Sequence, residues 1–155
     1  MRTIPLLASL AFALAVLPAA ARHDGHADHT AASGALAPLK APEGARVFII
    51  SPANGETVGR EVTVRFGAEN VEIRPAGDLT PGSGHHHLLI DARELPPMDA
   101  PIPDDAHHRH FGKGQTETTL QLEPGTHTLQ LDLGDARHMQ FDPPVVSEVV
   151  TIQVE

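Results

Sequence analysis

The 155-residue chain has no cysteine, no tryptophan and no tyrosine, and it has few basic residues. Without cysteine it can form no disulfide, and it offers neither a thiolate metal ligand nor a cysteine nucleophile. Lys and Arg number 11 against 20 Asp and Glu, so the formal net charge is −9. An acidic chain of this kind is a poor partner for nucleic acid or for an anionic lipid surface.

Long hydrophobic runs are also scarce. The one clear run, Leu6 to Leu17, is too short to span a bilayer. Arg2 precedes it and the small residues Ala19-Ala20-Ala21 follow it, which is the pattern of a secretory signal peptide. We therefore expect residues 1–21 to be a signal peptide, and the rest of the chain to be periplasmic or secreted, with no membrane span.

Residues 22–44 are predicted to be a flexible arm and linker. They carry His23, His26 and His29 at three-residue spacing, followed by a stretch rich in Ala, Gly, Pro and Ser. Such a composition buries too little apolar surface to fold alone. Two interpretations stay open for the arm, a weak metal-binding segment and a solvated linker.

The remaining residues, 45–155, are predicted to form one all-β domain. Alternating segments such as Val62-Thr63-Val64-Arg65-Phe66 indicate half-buried strands, and Ser51-Pro52-Ala53-Asn54-Gly55 is typical of a turn. About seven short strands separated by turns, with no helical periodicity, favour a single immunoglobulin-like β-sandwich.

Histidine is the residue that the chain has in excess, with 11 in total. Three of them, His85, His86 and His87, open a strand-like segment that continues through Leu88-Leu89-Ile90. Alternate residues of a strand share a face, so His85 and His87 are predicted to form one chelating pair. His86 then projects from the other face with Leu88.

A second histidine cluster follows one loop later, and the same parity pairs His108 with His110. His138 and Met139 lie in a polar loop, where imidazole next to thioether would suit copper. His127 opens an apolar strand and is an additional candidate, although a histidine at the edge of the core is equally typical of this pattern. The candidate metal ligands are therefore His85, His86, His87, His108, His110, His127, His138 and Met139.

All-histidine sites suit copper and zinc ions, and affinity alone ranks copper first and zinc second. The leading hypothesis is a periplasmic transition-metal-binding protein that acts in metal buffering, delivery or tolerance. One alternative is an interaction module in which the histidines form a structural network and another periplasmic protein is the partner. A small metalloenzyme is the second alternative, although no catalytic motif is present and no catalytic residue is predicted.

Four stretches carry a resemblance to a known family. They are Val47-Phe48-Ile49-Ile50-Ser51-Pro52-Ala53-Asn54-Gly55, Gly84-His85-His86-His87-Leu88-Leu89-Ile90-Asp91, His110-Phe111-Gly112-Lys113-Gly114-Gln115-Thr116-Glu117-Thr118 and Pro143-Pro144-Val145-Val146-Ser147. Over about residues 43–155 the chain resembles the bacterial secreted family named domain of unknown function 4399. The resemblance implies histidines matching those of the candidate set, whereas Phe141 stands where relatives tend to have another histidine. The stretch from Ser51 to Val58 also resembles periplasmic copper-resistance β-sandwich proteins, which is an analogy of fold alone.

Overall fold

The computed structural model describes residues 37–155. The predicted signal peptide and the arm histidines His23, His26 and His29 lie outside the described residues. Within 37–155 the chain forms no helix, and consequently no helix there is long and apolar enough to cross a membrane.

Nine strands build the domain. They are β1 (Arg46–Ser51), β2 (Thr57–Val58), β3 (Glu61–Glu69), β4 (Glu72–Ile73), β5 (Ser83–Ile90), β6 (His108–His110), β7 (Glu117–Gln121), β8 (Gly125–Gly134) and β9 (Val150–Val154). One sheet has the order β1-β3-β7, and the other has the order β2-β9-β8-β5-β4, with β6 paired to β5 beside β4. The predicted immunoglobulin-like β-sandwich is confirmed.

The main core lies between the two sheets. The alternating residues of β3 contribute Val62, Val64 and Phe66, while β8 contributes Leu131 and Leu133 from the other side. Each of these side chains is almost fully buried, as the period of two in their sequences predicts. Burial of this apolar surface is the main stabilising term of the domain.

A second, smaller buried layer covers the other face of the larger sheet. Leu89, Ile102 and Met139 are buried there but do not belong to the main core cluster. The loops that cover this face are joined by hydrogen bonds, because Ile102 N donates to the carbonyl oxygen of His138 at 2.7 Å and Gln140 Nε2 donates to that of Pro96 at 2.5 Å. Strand β5 is consequently buried on both faces, from Ser83 to Leu89.

The burial of β8 predicts a large effect of truncating Leu131, which has no exposed surface. We expect Leu131→Ala to lower the free energy of unfolding by roughly 2–5 kcal/mol, because it leaves a cavity in a packed core. Ile50→Ala is the matched control, since Ile50 lies in β1 with 60% of its surface exposed. It should change stability by no more than about 0.5 kcal/mol. Urea unfolding of the full chain measures both, and equal losses would contradict the core described above.

Candidate metal centre

Strand β5 directs His85 and His87 to the outer face of the larger sheet. In the antiparallel pairing with β8, His85 lies opposite Gly134 and His87 lies opposite Asp132. Both imidazoles are buried beneath the loops, with exposed fractions of 1% and 0%. The parity predicted from sequence is therefore observed, and the two rings point into a covered layer rather than into solvent.

Strand β6 brings a third imidazole to this layer. His110 pairs in register with His87, so the two side chains lie side by side on one face. The ring of His110 lies against Gly112, where a Cβ atom would come within 2.6 Å of the ring Nε2. Glycine at this position leaves the space that the ring occupies.

The fourth imidazole comes from a turn after β8. His138 has a φ of 66°, a left-handed conformation that is uncommon for a residue with a side chain. The buried carboxylate of Asp135 holds this turn, because its Oδ1 accepts hydrogen bonds from the backbone nitrogens of Arg137 at 2.7 Å and Met139 at 3.0 Å. Strained backbone that the surrounding contacts maintain is often found at functional sites.

We call the imidazoles of His85, His87, His110 and His138 the His cluster. The distances between ring centroids are 4.9 Å for 85–87, 5.0 Å for 85–110, 5.0 Å for 85–138, 5.0 Å for 87–110, 6.0 Å for 87–138 and 4.7 Å for 110–138. The four rings thus surround a common point.

The ring nitrogens are close enough to share one ion. Single nitrogens of His85, His110 and His138 lie within 4.8 Å of one another. His87 is not part of this group of three, and its Nε2 is in hydrogen-bond contact with Nε2 of His85 at 3.1 Å. Nitrogens bound at about 2.0–2.1 Å to one tetrahedral ion lie about 3.3 Å apart, so the rings have to rotate to bind one ion, and His87 has to rotate to become a fourth ligand.

Hydrogen bonding leaves several of these nitrogens without a partner. Among the described residues, Nδ1 of His85, Nδ1 of His87 and Nε2 of His110 are buried and form no hydrogen bond. A buried polar atom without a partner destabilises a fold by about 1–3 kcal/mol. The converging rings, together with the unpaired Nε2 of His110, therefore fit a bound transition-metal ion, and an ion held by Nε2 of His85 and His87 would leave their Nδ1 atoms unpaired.

Burial also keeps these rings in the form that binds metals. Burial lowers the pKa of His85 to about 4, with a further decrease from the neighbouring rings of His138 and His110. The pKa of His87 is lowered to about 2 by burial, and then by His85 and His110. Burial lowers the pKa of His110 as well. Neutral imidazole is the ligand form, so at neutral pH these three rings are in the form that a metal ion requires.

The other predicted ligands lie elsewhere. His86 projects into the main core, where its ring packs against Phe66 at a centroid distance of 5.0 Å. His108 Nδ1 is 2.8 Å from Asp105 Oδ1, and His127 Nδ1 is 2.7 Å from Asp91 Oδ2. Met139 is buried in the outer layer, next to His138 in sequence. The cluster thus contains four of the eight candidates.

Three residues of this region were not among the candidates. Asp132 is fully buried opposite His87, and burial raises the pKa of its carboxyl to about 7. The alternation Leu131-Asp132-Leu133 indicates that Asp132 faces away from the core, but only the covering loops bury it. Gly134 and Gly112 provide space for rings, since a Cβ on Gly134 would lie 2.9 Å from Nε2 of His87.

Comparisons with known proteins find one family. The sequence model of the family described as "Domain of unknown function (DUF4399)" matches residues 64–155. No curated protein matches the chain. A solved structure titled "Structures of Clostridium thermocellum CbhA fibronectin(III)-like modules" is similar at 12% identity with a TM-score of 0.35. That match covers 71% of this chain and 45% of the other, so the chain spans less than half of that structure.

The position of His86 predicts a pH effect on stability. Burial lowers the pKa of His86 to about 4, below its ordinary value of 6.5. Between these values the unfolded chain binds a proton that the folded chain does not, so stability is lost as the pH falls. We expect His86→Leu to remove this loss, and its stability relative to wild type should rise by roughly 2–3 kcal/mol between pH 7 and pH 4.5.

Urea unfolding of the metal-free full chain at several pH values measures this difference. Phe66→Leu is the matched control, because it alters the same contact without adding or removing a titratable group. Its stability relative to wild type should not change with pH. A constant difference for His86→Leu as well would show that His86 is not buried in neutral form.

Proposed function

This chain belongs to the DUF4399 family, and we propose that its folded domain binds one transition-metal ion, copper or zinc, through the His cluster. The observation that carries the proposal is the convergence of four imidazoles from three separate parts of the chain. Two come from β5, one from β6 and one from the turn after β8. Neutral imidazole is a common ligand of both metals.

The alternative of a structural histidine network is supported less well by this cluster. A histidine that holds a loop is expected to use its ring nitrogens in hydrogen bonds, as His107 does with the carbonyl oxygen of Ile90 at 2.8 Å. His127 uses both nitrogens, on Asp91 and on the carbonyl oxygen of Glu123. Rings of the His cluster instead face one another, and among the described residues none of them has a side-chain hydrogen bond to a loop carbonyl or a carboxylate. This contrast favours metal binding.

The proposed role is metal buffering, delivery or tolerance in the periplasm or outside the cell. The arm histidines His23, His26 and His29, which lie outside the described residues, would bind ions weakly and raise their effective concentration near the folded site.

The test is a competitive metal titration of the full chain, produced without an affinity tag. We expect one tightly bound copper or zinc ion per wild-type chain. The variant His110→Ala/His138→Ala should bind at least about 100-fold more weakly, since even groups that only orient a ligand contribute 10–100-fold. Both substituted rings are partly exposed, so the variant is expected to fold.

The matched control is His107→Ala/His108→Ala, which removes the same number of histidines from the same region of the chain. It should bind like wild type, because both rings are hydrogen-bonded outside the cluster. Equal binding by all three proteins would assign the ion to the arm. Absence of tight binding by wild type would reject the proposed function.

A second variant keeps every histidine. In Gly112→Ala the new Cβ would meet the His110 ring, with 2.6 Å to Nε2, so the ring must move. We expect the affinity for the ion to decrease while the content of β structure, measured by far-UV circular dichroism, is retained. Unchanged affinity would mean that His110 does not bind the ion in the position described.

A further inference from the structure

We propose that the His cluster is a closed tetrahedral site. Such a site favours Zn(II) over Cu(II), because Cu(II) prefers a square-planar arrangement. The site would hold its ion without catalysing a reaction. This inference rests on the proposed metal-binding function. Affinity of imidazole ligands alone ranks copper above zinc. The arrangement of the four rings adds a geometric preference that opposes this order.

Ring centroids report the geometry because a nitrogen-bound imidazole has its centroid about 3.2 Å from the ion when the metal–nitrogen distance is about 2.0–2.1 Å. Four such rings at the corners of a tetrahedron would have all six centroid distances equal, at about 5.2 Å. The observed distances are between 4.7 and 6.0 Å, and five of the six are between 4.7 and 5.0 Å.

A square-planar ion requires a different set. Two opposite pairs would be about 6.4 Å apart, and the four adjacent pairs about 4.5 Å apart. In the cluster, only the centroid distance between His87 and His138 is long, at 6.0 Å. In a square, His85 and His110 would then form the other opposite pair, but their centroids are only 5.0 Å apart. No division of the four rings into two opposite pairs has two long distances. The observed set is therefore closer to a tetrahedron.

The surroundings oppose a rearrangement into a plane. His85 and His87 are fixed by β5 and fully buried, so neither ring can swing outward without opening the outer layer. His87 and His110 also occupy the space beside Gly134 and Gly112, where an added Cβ would lie 2.9 Å and 2.6 Å from the respective Nε2 atoms. His138 is set by the turn that Asp135 holds. A copper ion would have to accept a distorted site or leave one ring unbound.

The number of ligands indicates what the site does. Zinc sites that hold an ion for structure have four protein ligands, whereas catalytic zinc sites have three and keep one position open for water. With His87 as the fourth ligand beside the group of His85, His110 and His138, four imidazoles would fill a tetrahedral ion and leave no position for a substrate. His110 and His138 are partly exposed whereas His85 and His87 are fully buried. The ion would therefore enter and leave past the two partly exposed rings.

The experiment uses Co(II) as a spectroscopic substitute for Zn(II), in the tag-free full chain. A tetrahedral Co(II) ion absorbs visible light far more strongly than an octahedral one. We expect an intense visible band that saturates at one ion per chain and is displaced by Zn(II). The Cu(II)-loaded protein should have an electron paramagnetic resonance spectrum with a smaller parallel hyperfine splitting than a square-planar copper–imidazole complex.

The variant His87→Ala tests the fourth ligand. It should still bind Co(II), more weakly, through three rings and water, and its visible band should change in response to added azide, which binds at an open position. The wild-type band should not respond to azide. A wild-type protein that responds equally would have an open site, which would overturn the closed-site inference.

A competition between the two metals measures selectivity. The ratio of copper affinity to zinc affinity should be at least about tenfold smaller in wild type than in His110→Ala/His138→Ala, whose remaining histidines impose no tetrahedron. Equal ratios, or a weak octahedral Co(II) band together with a square-planar copper spectrum, would overturn the inference while leaving metal binding intact. Absence of any bound ion would reject the proposed function and this inference together.

Discussion

The antiparallel pairing of β5 with β8 is the constraint on which the rest of the structure depends. It places His86 opposite Leu133 and His87 opposite Asp132, so that one face of the pair supplies the core and the other supplies the His cluster. Side chains alternate with a period of two, and a slip of one residue would exchange the two faces. The core and the candidate site are therefore specified by the same hydrogen bonds.

Burial on both faces of β5 has an energetic consequence. Three consecutive imidazoles lie out of contact with water, and burial lowers the pKa of each of them. Neutral rings with unpaired nitrogens destabilise the metal-free fold, because they lose hydrogen bonds to water and gain few in return. An ion that binds only the folded state would offset this loss, by about 2.7 kcal/mol when its free concentration is 100 times the dissociation constant. Under the proposed function, stability and metal binding would therefore be linked in one layer.

The second half of the cluster depends on segments with little regular structure. His110 belongs to a strand of three residues, and His138 to a turn with left-handed backbone. Both are held by contacts distant in sequence, such as the pairing of His110 with His87 and the hydrogen bond from Ile102 to His138. The two partly exposed rings thus lie on the segments expected to move most easily, which would suit exchange of the proposed ion at a site whose other two rings are buried.

The sequence by itself determined the all-β class, the family and the pairing of His85 with His87, because strand periodicity is a local property of the chain. Parity also placed His108 and His110 on one face, as observed in their pairing with Leu89 and His87. Only the tertiary structure decided that His110 and His138 join the cluster while His108 turns to Asp105 and His127 to Asp91. Loop packing determines which histidines join the cluster, through contacts between residues far apart in the chain. Periodicity in the sequence does not predict such contacts. The burial of Asp132 and the space left by Gly112 and Gly134 were decided in the same way.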